Sequence, residues 1–179
     1  MKTLVIHPKD STTTFLRSIY KDIPYKTIIS GGCSYDDVIE EIKSHTRIMM
    51  MGHGCPVGLF SVGQFGKRGL IIDKGSVPYL QDKECVFIWC NSDKFVERYE
   101  LNGFYSGMFI SEVSESVMCG FNGITQSEVS SSNYSFSSIV GKHINKPLNE
   151  VYNNVRTDYG ILCDTNPIVE YNHERLYFN

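Results

Sequence analysis

The chain has 179 residues, of which 41% are hydrophobic and 21% are charged, and its formal net charge is -3. This length suits one domain spanning 1–179 with a sizeable core, and the composition is that of an ordinary globular protein. No basic stripe is present to neutralise phosphates, so a nucleic-acid partner is not expected. No apolar run approaches the length of a membrane span and the start carries no signal-peptide pattern, so we expect a cytoplasmic protein without a membrane partner.

Strands and helices are predicted to alternate in the first half of the chain. Apolar, β-branched runs and capped amphipathic segments predict strands at 3–7, 25–29 and 47–51 and helices at 11–20 and 35–44. The third strand is apolar almost throughout, which is typical of a central strand covered on both faces. Two further apolar runs separated by glycines predict a β-hairpin from 58–61 and 69–73.

The second half continues the alternation. The pattern predicts a short helix or turn at 77–82, strands at 84–89 and 107–110, helices at 94–101, 111–118, 128–144 and 147–159, and an extended tail at 168–178 that adds a last strand. This order predicts an α/β fold whose mostly parallel sheet is flanked by helices in a flavodoxin-like order. The hairpin is inserted between strands three and four.

Two chemically competent residues follow central strands directly. His53 follows Met49-Met50-Met51-Gly52, and Cys90 follows Val86-Phe87-Ile88-Trp89. Because the carboxyl ends of neighbouring parallel strands open onto one crevice, the two side chains can meet there. A thiol nucleophile needs an imidazole of this kind to favour its thiolate form, so the sequence predicts a catalytic dyad of His53 and Cys90.

The neighbours of both residues fit the same chemistry. The backbone N–H groups of Gly54 and Cys90 are candidates for an oxyanion hole. Asn91-Ser92-Asp93 is a turn or helix-cap pattern, which predicts that Cys90 lies near a helix N-terminus, where thiol pKa values fall. Cys55 is a second-ranked nucleophile, and Cys85 is predicted to be structural. The cysteines show no zinc-ligand spacing, so no metal is expected.

These motifs resemble the caspase, gingipain and separase group of cysteine peptidases, and most of all its bacterial caspase-like branch, often called CHAT. The segments 49–54 and 86–92 carry the resemblance; Gly58-Leu59-Phe60 and the tail from 166 to 177 are similar to the hairpin and closing strand of such domains. The resemblance implies a single caspase-like domain that cleaves a peptide or protein substrate. His53 would be the general base or imidazolium partner, Cys90 the thioester-forming nucleophile, and no metal or cofactor would be needed.

Substrate choice is predicted from two carboxylates. Basic-specific members of this group have an acidic residue near the end of strand one, and Asp10 lies at the matching place. Asp93 is the second candidate, and either carboxylate would favour Arg or Lys at the cleaved bond. Both residues also fit local roles, Asp10 as an Asx turn or helix cap and Asp93 as a helix N-cap.

Two other classes of function fit the same sequence. Trp89 is large where the family usually has a small residue, and the Gln-Ala-Cys context of caspases is missing, so an inactive interaction module and an active core that needs an activating partner or a second copy both stay open. A flavodoxin-like ligand-binding domain is the third candidate function, because the hydroxyl-rich loop 8–14 precedes a helix N-terminus, where phosphate groups bind.

The serine-rich stretch 127–138 fits either a groove-shaping loop or a solvent-facing segment.

Overall fold

The computed structural model describes residues 2–179. Its strands are β1 (Thr3–Ile6), β2 (Thr27–Ile29), β3 (Arg47–Met51), β4 (Gly54–Cys55), β5 (Gly58–Phe60), β6 (Leu70–Ile72), β7 (Glu84–Ile88), β8 (Gly103–Ser106) and β9 (Leu176–Phe178). Its α-helices are α1 (Arg17–Tyr20), α2 (Tyr35–Ser44), α3 (Ser92–Arg98), α4 (Val113–Met118), α5 (Gln126–His143), α6 (Leu148–Gly160) and α7 (Pro167–Glu174). Within this described range, no helix is both long enough and apolar enough to cross a membrane.

A six-stranded sheet in the order β2-β1-β3-β7-β8-β9 forms the centre of the fold. Its first five strands are parallel, and β9 runs antiparallel to β8. Strands β3 and β7 pair along their whole length, from Arg47 opposite Glu84 to Met51 opposite Ile88. The carboxyl ends of β3 and β7 therefore lie side by side, at the end of the sheet where the parallel strands terminate. The predicted α/β architecture, with a mostly parallel sheet flanked by helices, is confirmed.

A separate antiparallel sheet of β4, β5 and β6 is inserted between β3 and β7. The two predicted hairpin strands correspond to β5 and β6, and the short β4 adds a third strand that the sequence pattern did not indicate. Gly58 makes the close pairing of β5 and β6 feasible. Its φ is +150°, and a Cβ atom there would overlap the carbonyl oxygen of Ile72.

Both faces of the central sheet are covered by apolar side chains. Along β3, Met50 packs on the face that α2 covers, whereas Met49 and Met51 pack on the opposite face with residues of α1, α5 and α6. This alternation is the two-residue period of a strand, and all three methionine side chains are fully buried. The run of apolar residues in β3 is therefore explained by burial on both faces.

Two predicted elements of the second half are wrong. The fifth strand of the central sheet is β8 at Gly103–Ser106 rather than 107–110, and the backbone N–H of Ile110 bonds instead to the side chain of Asn172 at 2.8 Å. The tail is not extended over 168–178, because α7 occupies Pro167–Glu174, but the predicted last strand is present as β9 at Leu176–Phe178. Asn166 caps this helix by accepting from the Ile168 N–H, and proline at the first helical position is pre-organised for such a start.

Helix boundaries also differ from the prediction elsewhere. The predicted helix 11–20 is a 3₁₀ turn at Thr14–Leu16 followed by the short α1. Helix α3 begins at Ser92 after Asn91, so Asp93 lies in its first turn and is not its N-cap. Helix α5 begins at Gln126, because Thr125 forms a capping box before it.

Acid is expected to destabilise the fold through His7. This histidine is 3% exposed, and its ring nitrogens lie 3.0 Å from the Tyr20 hydroxyl and 3.1 Å from the Thr13 hydroxyl. Burial, helped by the charge of Arg17, lowers the pKa of His7 from 6.5 to about 4. Between pH 6.5 and about pH 4, His7 is therefore protonated in the unfolded chain but stays neutral in the folded chain. We expect the free energy of unfolding to fall by roughly 2–3 kcal/mol from neutral pH to about pH 4.5 through this group.

Urea unfolding of the wild type and of His7→Gln at these two pH values measures that contribution. The variant is expected to lose less stability on acidification, by the amount assigned to His7. An equal loss in both proteins would contradict the prediction and assign the acid sensitivity to other groups.

Candidate active site

His53 lies just beyond β3, at the point where the chain leaves the central sheet. The N–H of Gly52 still bonds to the carbonyl of Ile88 on β7, at 3.1 Å, and the chain then turns into β4. Gly52 has a φ of +142°, which a residue with a side chain rarely adopts. The half-buried imidazole faces the loop after β1, where its Nε2 lies 2.6 Å from the hydroxyl of Thr12.

Asp10 acts on His53 through Thr12. The hydroxyl of Thr12 donates to Asp10 Oδ1 at 2.6 Å, and the Thr12 N–H donates to the same oxygen at 2.8 Å. These bonds hold the pKa of Asp10 below its ordinary value. Since a hydroxyl has only one proton, Thr12 must accept from His53, and Nε2 is then the protonated nitrogen of a neutral ring. Nδ1 is left as the basic nitrogen, which is the form that a general base requires.

Cys90 lies beyond the end of β7, between two residues that fix its direction. Trp89 is 2% exposed and turns to the opposite face of the sheet, where its Nε1 donates to the carbonyl of Cys55 at 3.2 Å. Asn91 takes a φ of +63°, and the chain turns into α3. The Cys90 thiol consequently points to the same side as Ile88, toward the loop after β8.

The thiol of Cys90 is held in its neutral form. Sγ lies 3.4 Å from the carbonyl oxygen of Phe109 and 3.8 Å from Oε1 of Glu115. Burial, followed by the negative charge of Glu115, raises the pKa of Cys90 to about 12. The prediction that a nearby helix N-terminus lowers this pKa is therefore wrong. Desolvation and a facing carboxylate both oppose the thiolate, and they outweigh the dipole of the short α3.

His53 and Cys90 line the same pocket. Its other walls are largely apolar and include Phe15, Leu16 and Phe109. The cavity measures only about 20 Å³, which is close to the space of a single water molecule. Among the hydrogen bonds of residues 2–179, none joins the imidazole to the thiol. The two predicted catalytic residues are thus neighbours in one closed pocket, and the thiol is turned toward Glu115.

The two predicted oxyanion donors are both outside the hydrogen-bond ladders. The Phe60 N–H donates to the His53 carbonyl at 2.9 Å, so Gly54 and Leu59, which face each other across β4 and β5, exchange no hydrogen bonds. The N–H of Cys90, in the portion of the chain that the structure describes, donates to no backbone carbonyl. Cys90 lines the pocket, whereas Gly54 lies outside its lining.

The other predicted site residues lie elsewhere. Asp93 is 8% exposed on α3; its Oδ2 lies 3.2 Å from Lys94 Nζ, and it does not line the pocket that holds His53 and Cys90. Cys55 is part of β4 and is also absent from that lining. The hydroxyls of Thr13 and Thr14 in the loop after β1 both donate to the carbonyl of Asp10.

Two polar residues of the site were not predicted from the sequence. Thr12 could have been found, because it follows Asp10 by two residues in a hydroxyl-rich loop, which is the spacing of an Asx turn. Nothing in the sequence pattern indicated that Glu115 belongs to the site. Its Oε2 accepts from the N–H and hydroxyl of Ser111 and from the N–H of Glu112, and these bonds hold its other oxygen against Cys90.

Neither the protein-family models nor the curated proteins contain a match to this chain. Among solved structures, it resembles the RcsB response regulator of Salmonella typhimurium, described for its conformational dynamism in DNA interaction. That likeness has a TM-score of 0.35 and 8% sequence identity, over 96% of this chain and 97% of the regulator. A likeness of this size says nothing about function.

Proposed function

We propose that this protein is a cysteine endopeptidase of caspase-like type in which Cys90 is the nucleophile and His53 the base. One observation carries the proposal: His53 and Cys90 follow adjacent parallel strands and line the same pocket. The bond from His53 to Thr12 adds support, since it leaves Nδ1 as the basic nitrogen. Such a pair of thiol and imidazole is the minimum that acyl transfer requires.

The proposed reaction has two stages. Cys90 Sγ attacks the carbonyl carbon of the scissile peptide while its proton passes to His53 Nδ1, and the N–H groups of Gly54 and Cys90 bind the resulting oxyanion. Collapse of this intermediate breaks the C–N bond, and His53 gives its proton to the leaving amine. Water, deprotonated by His53, then attacks the thioester, which releases the acid and regenerates the thiol.

The caspase-like fold belongs to the same proposal. It is supported by an antiparallel sheet inserted between β3 and β7 and by the antiparallel strand β9 at the edge of the central sheet. The resemblance of the segments around His53 and Cys90 to the caspase-like peptidases points the same way. A basic residue before the cleaved bond is part of the proposal too, and the carboxylate of Asp10 beside the dyad favours it.

On this proposal, the arrangement of His53 and Cys90 described above is a resting state. A pocket of about 20 Å³ does not admit a peptide, and the thiol contacts Glu115 instead of His53. Catalysis therefore requires the thiol to rotate toward the imidazole and the loop after β8 to withdraw. We assign this opening to the substrate or to an activating partner, which includes a second copy of the chain.

The same contacts favour a second candidate, an inactive interaction module that retains the fold. A thiol whose pKa is raised to about 12 is almost entirely neutral at physiological pH. A flavodoxin-like ligand-binding domain has less support, because the hydroxyls of its supposed phosphate loop bond to Asp10 and His53.

Labelling with a peptidyl acyloxymethyl ketone that carries Arg or Lys before the reactive group separates the two candidates. We expect the wild type to be labelled, Cys90→Ala to lose labelling completely and His53→Ala to lose at least about 90% of the rate, in line with general-base catalysis. Cys55→Ala is the matched control, since Cys55 lies two residues from His53 and outside the pocket; it should be labelled like the wild type.

Labelling that survives in Cys90→Ala, or that is lost in Cys55→Ala, would overturn the assignment of the nucleophile. A wild type whose Cys90 reacts no faster than its other thiols, even with an excess of the probe, would favour the inactive module.

A further inference from the structure

The segment 111–124 contacts Cys90 and packs lightly on the rest of the molecule. It comprises the end of the loop after β8, helix α4 and the loop that leads to α5. Among its residues, all of which the structure describes, Ser116 alone is buried, and Val117 and Met118 are 54% and 82% exposed. In the described part of the chain, α4 has no extensive contact with any other helix or strand. A segment with so few buried contacts opens locally at a small cost in free energy.

The chain directly before this segment is held firmly. Asn172 is fully buried on α7, and its side chain accepts from the Ile110 N–H at 2.8 Å and donates to the Ile110 carbonyl at 2.9 Å. One side chain thus fixes both backbone groups of Ile110, and with them the neighbouring carbonyl of Phe109, which lies against Cys90. The part of the loop after β8 that can withdraw therefore begins after Ile110.

Helix α4 keeps its own N-terminal hydrogen bonds when it moves. Oε2 of Glu115 accepts from the N–H and hydroxyl of Ser111 and from the N–H of Glu112, and all of these groups belong to the segment 111–124. A swing of the whole unit breaks the bond from Asn133 to the Ser111 carbonyl, which measures 2.8 Å. It also carries Oε1 of Glu115 away from the Cys90 thiol.

The far end of α4 is held by one side chain of α7. The hydroxyl of Tyr171 donates to Cys119 Sγ at 3.3 Å, and its ring meets Phe121 edge to face, with 5.5 Å between the ring centroids. Between and beyond these two contacts lie Gly120 and Gly123, whose φ values are +89° and +84°. A Cβ atom at either glycine would meet no other atom within 4 Å, so the chain has both the freedom and the space to bend there.

We propose that the segment 111–124 is a lid over Cys90, with Tyr171 as its latch and the two glycines as its far hinge. Its part in catalysis rests on the proposed peptidase function, because opening frees the thiol for His53 and for a substrate. The lid itself controls the access of any reagent to the thiol. An open space of about 550 Å³, lined in part by residues 111–114, adjoins the start of the lid and leaves it room to move.

Tyr171→Phe tests the lid, because it removes the hydroxyl of the latch and keeps its ring. We expect iodoacetamide to alkylate Cys90 about threefold faster at every pH, as the loss of one weak hydrogen bond implies. The amides of 112–121 should exchange with deuterium faster by the same factor, since both rates depend on one opening equilibrium. Tyr177→Phe is the matched control. It makes the same change on β9, where the ring packs against Tyr105, and both rates should stay at their wild-type values.

Amide exchange within α5 shows whether the variant has loosened only at the lid. A Cys90 rate that does not follow the exchange of the lid, or an equal rise of exchange in α5, would overturn the proposal. The peptidyl acyloxymethyl ketone separates the lid from the peptidase. Absence of labelling by it, while alkylation and lid exchange rise together, would overturn the peptidase and leave the lid standing. Equal labelling of the wild type and Tyr171→Phe, with unchanged lid exchange, would overturn the lid and leave the peptidase standing.

Discussion

Replacing Glu115 by glutamine is expected to make the Cys90 thiol at least about threefold more reactive toward iodoacetamide near pH 8. The carboxylate of Glu115 faces the thiol at 3.8 Å and is, after burial, the largest cause of the raised pKa of Cys90. Glutamine has nearly the same shape but no charge, so the thiolate no longer meets a negative neighbour. For each unit by which the pKa of Cys90 falls, the thiolate fraction rises about tenfold and the intrinsic nucleophilicity falls about threefold, so the net reactivity rises about threefold.

Peptide mapping of the alkylated protein measures this rate, with Cys85 as an internal reference. The pKa of Cys85 is also raised to about 12, but by burial alone, so its alkylation should not respond to the change at Glu115. The pH profile gives the decisive readout. A rate curve for Cys90 that shifts to lower pH shows removal of a charge, whereas a uniform increase at every pH would show that α4 has merely loosened. An unchanged Cys90 rate would contradict the role assigned to Glu115.

The parts of the site that could be predicted are those encoded within single strands. His53 and Cys90 stand at the ends of apolar runs, and the pairing of β3 with β7 agrees with the mostly parallel sheet predicted for an α/β fold. Helix α2 has the predicted bounds, because Ser34 and Asp37 form a capping box within four residues of sequence. Local chemistry of this kind is visible without knowledge of the fold.

The parts that could not be predicted depend on contacts between distant segments. The segment 107–110 is as apolar as β8, but it does not extend the sheet. The N–H of Ile110 donates instead to the side-chain oxygen of Asn172. The raised pKa of Cys90 comes first from burial and then from the charge of Glu115, which lies 25 residues further along the chain. The direction of His53 comes from Thr12, at a separation of 41 residues. No spacing within one segment encodes either contact, so the surroundings of His53 and Cys90 could not be predicted from the sequence.

Replacing Gly54 by alanine is expected to destabilise the fold by about 2–3 kcal/mol and to abolish labelling of Cys90. A Cβ atom at Gly54 would lie 2.6 Å from Trp89 Cγ and 2.8 Å from the carbonyl oxygen of Gly58, well inside normal contact distances. Trp89 is 2% exposed and packs against Phe87 and Phe95, so it cannot move without displacing its neighbours. The clash must therefore displace β4, which carries a proposed oxyanion donor, or Trp89, which directly precedes Cys90.

Thermal unfolding and probe labelling of the same preparations measure both effects, and Gly69→Ala is the matched control. No atom lies within 4 Å of the position that a Cβ would take at Gly69, and its backbone is not left-handed. We expect the control to change stability by no more than about 0.5 kcal/mol and to leave labelling intact. The loss of about 2–3 kcal/mol at Gly54 corresponds to a fall in Tm of roughly 5–10 °C for a chain of this size. A Gly54→Ala protein that melts and labels like Gly69→Ala would contradict the close packing of β4 against Trp89.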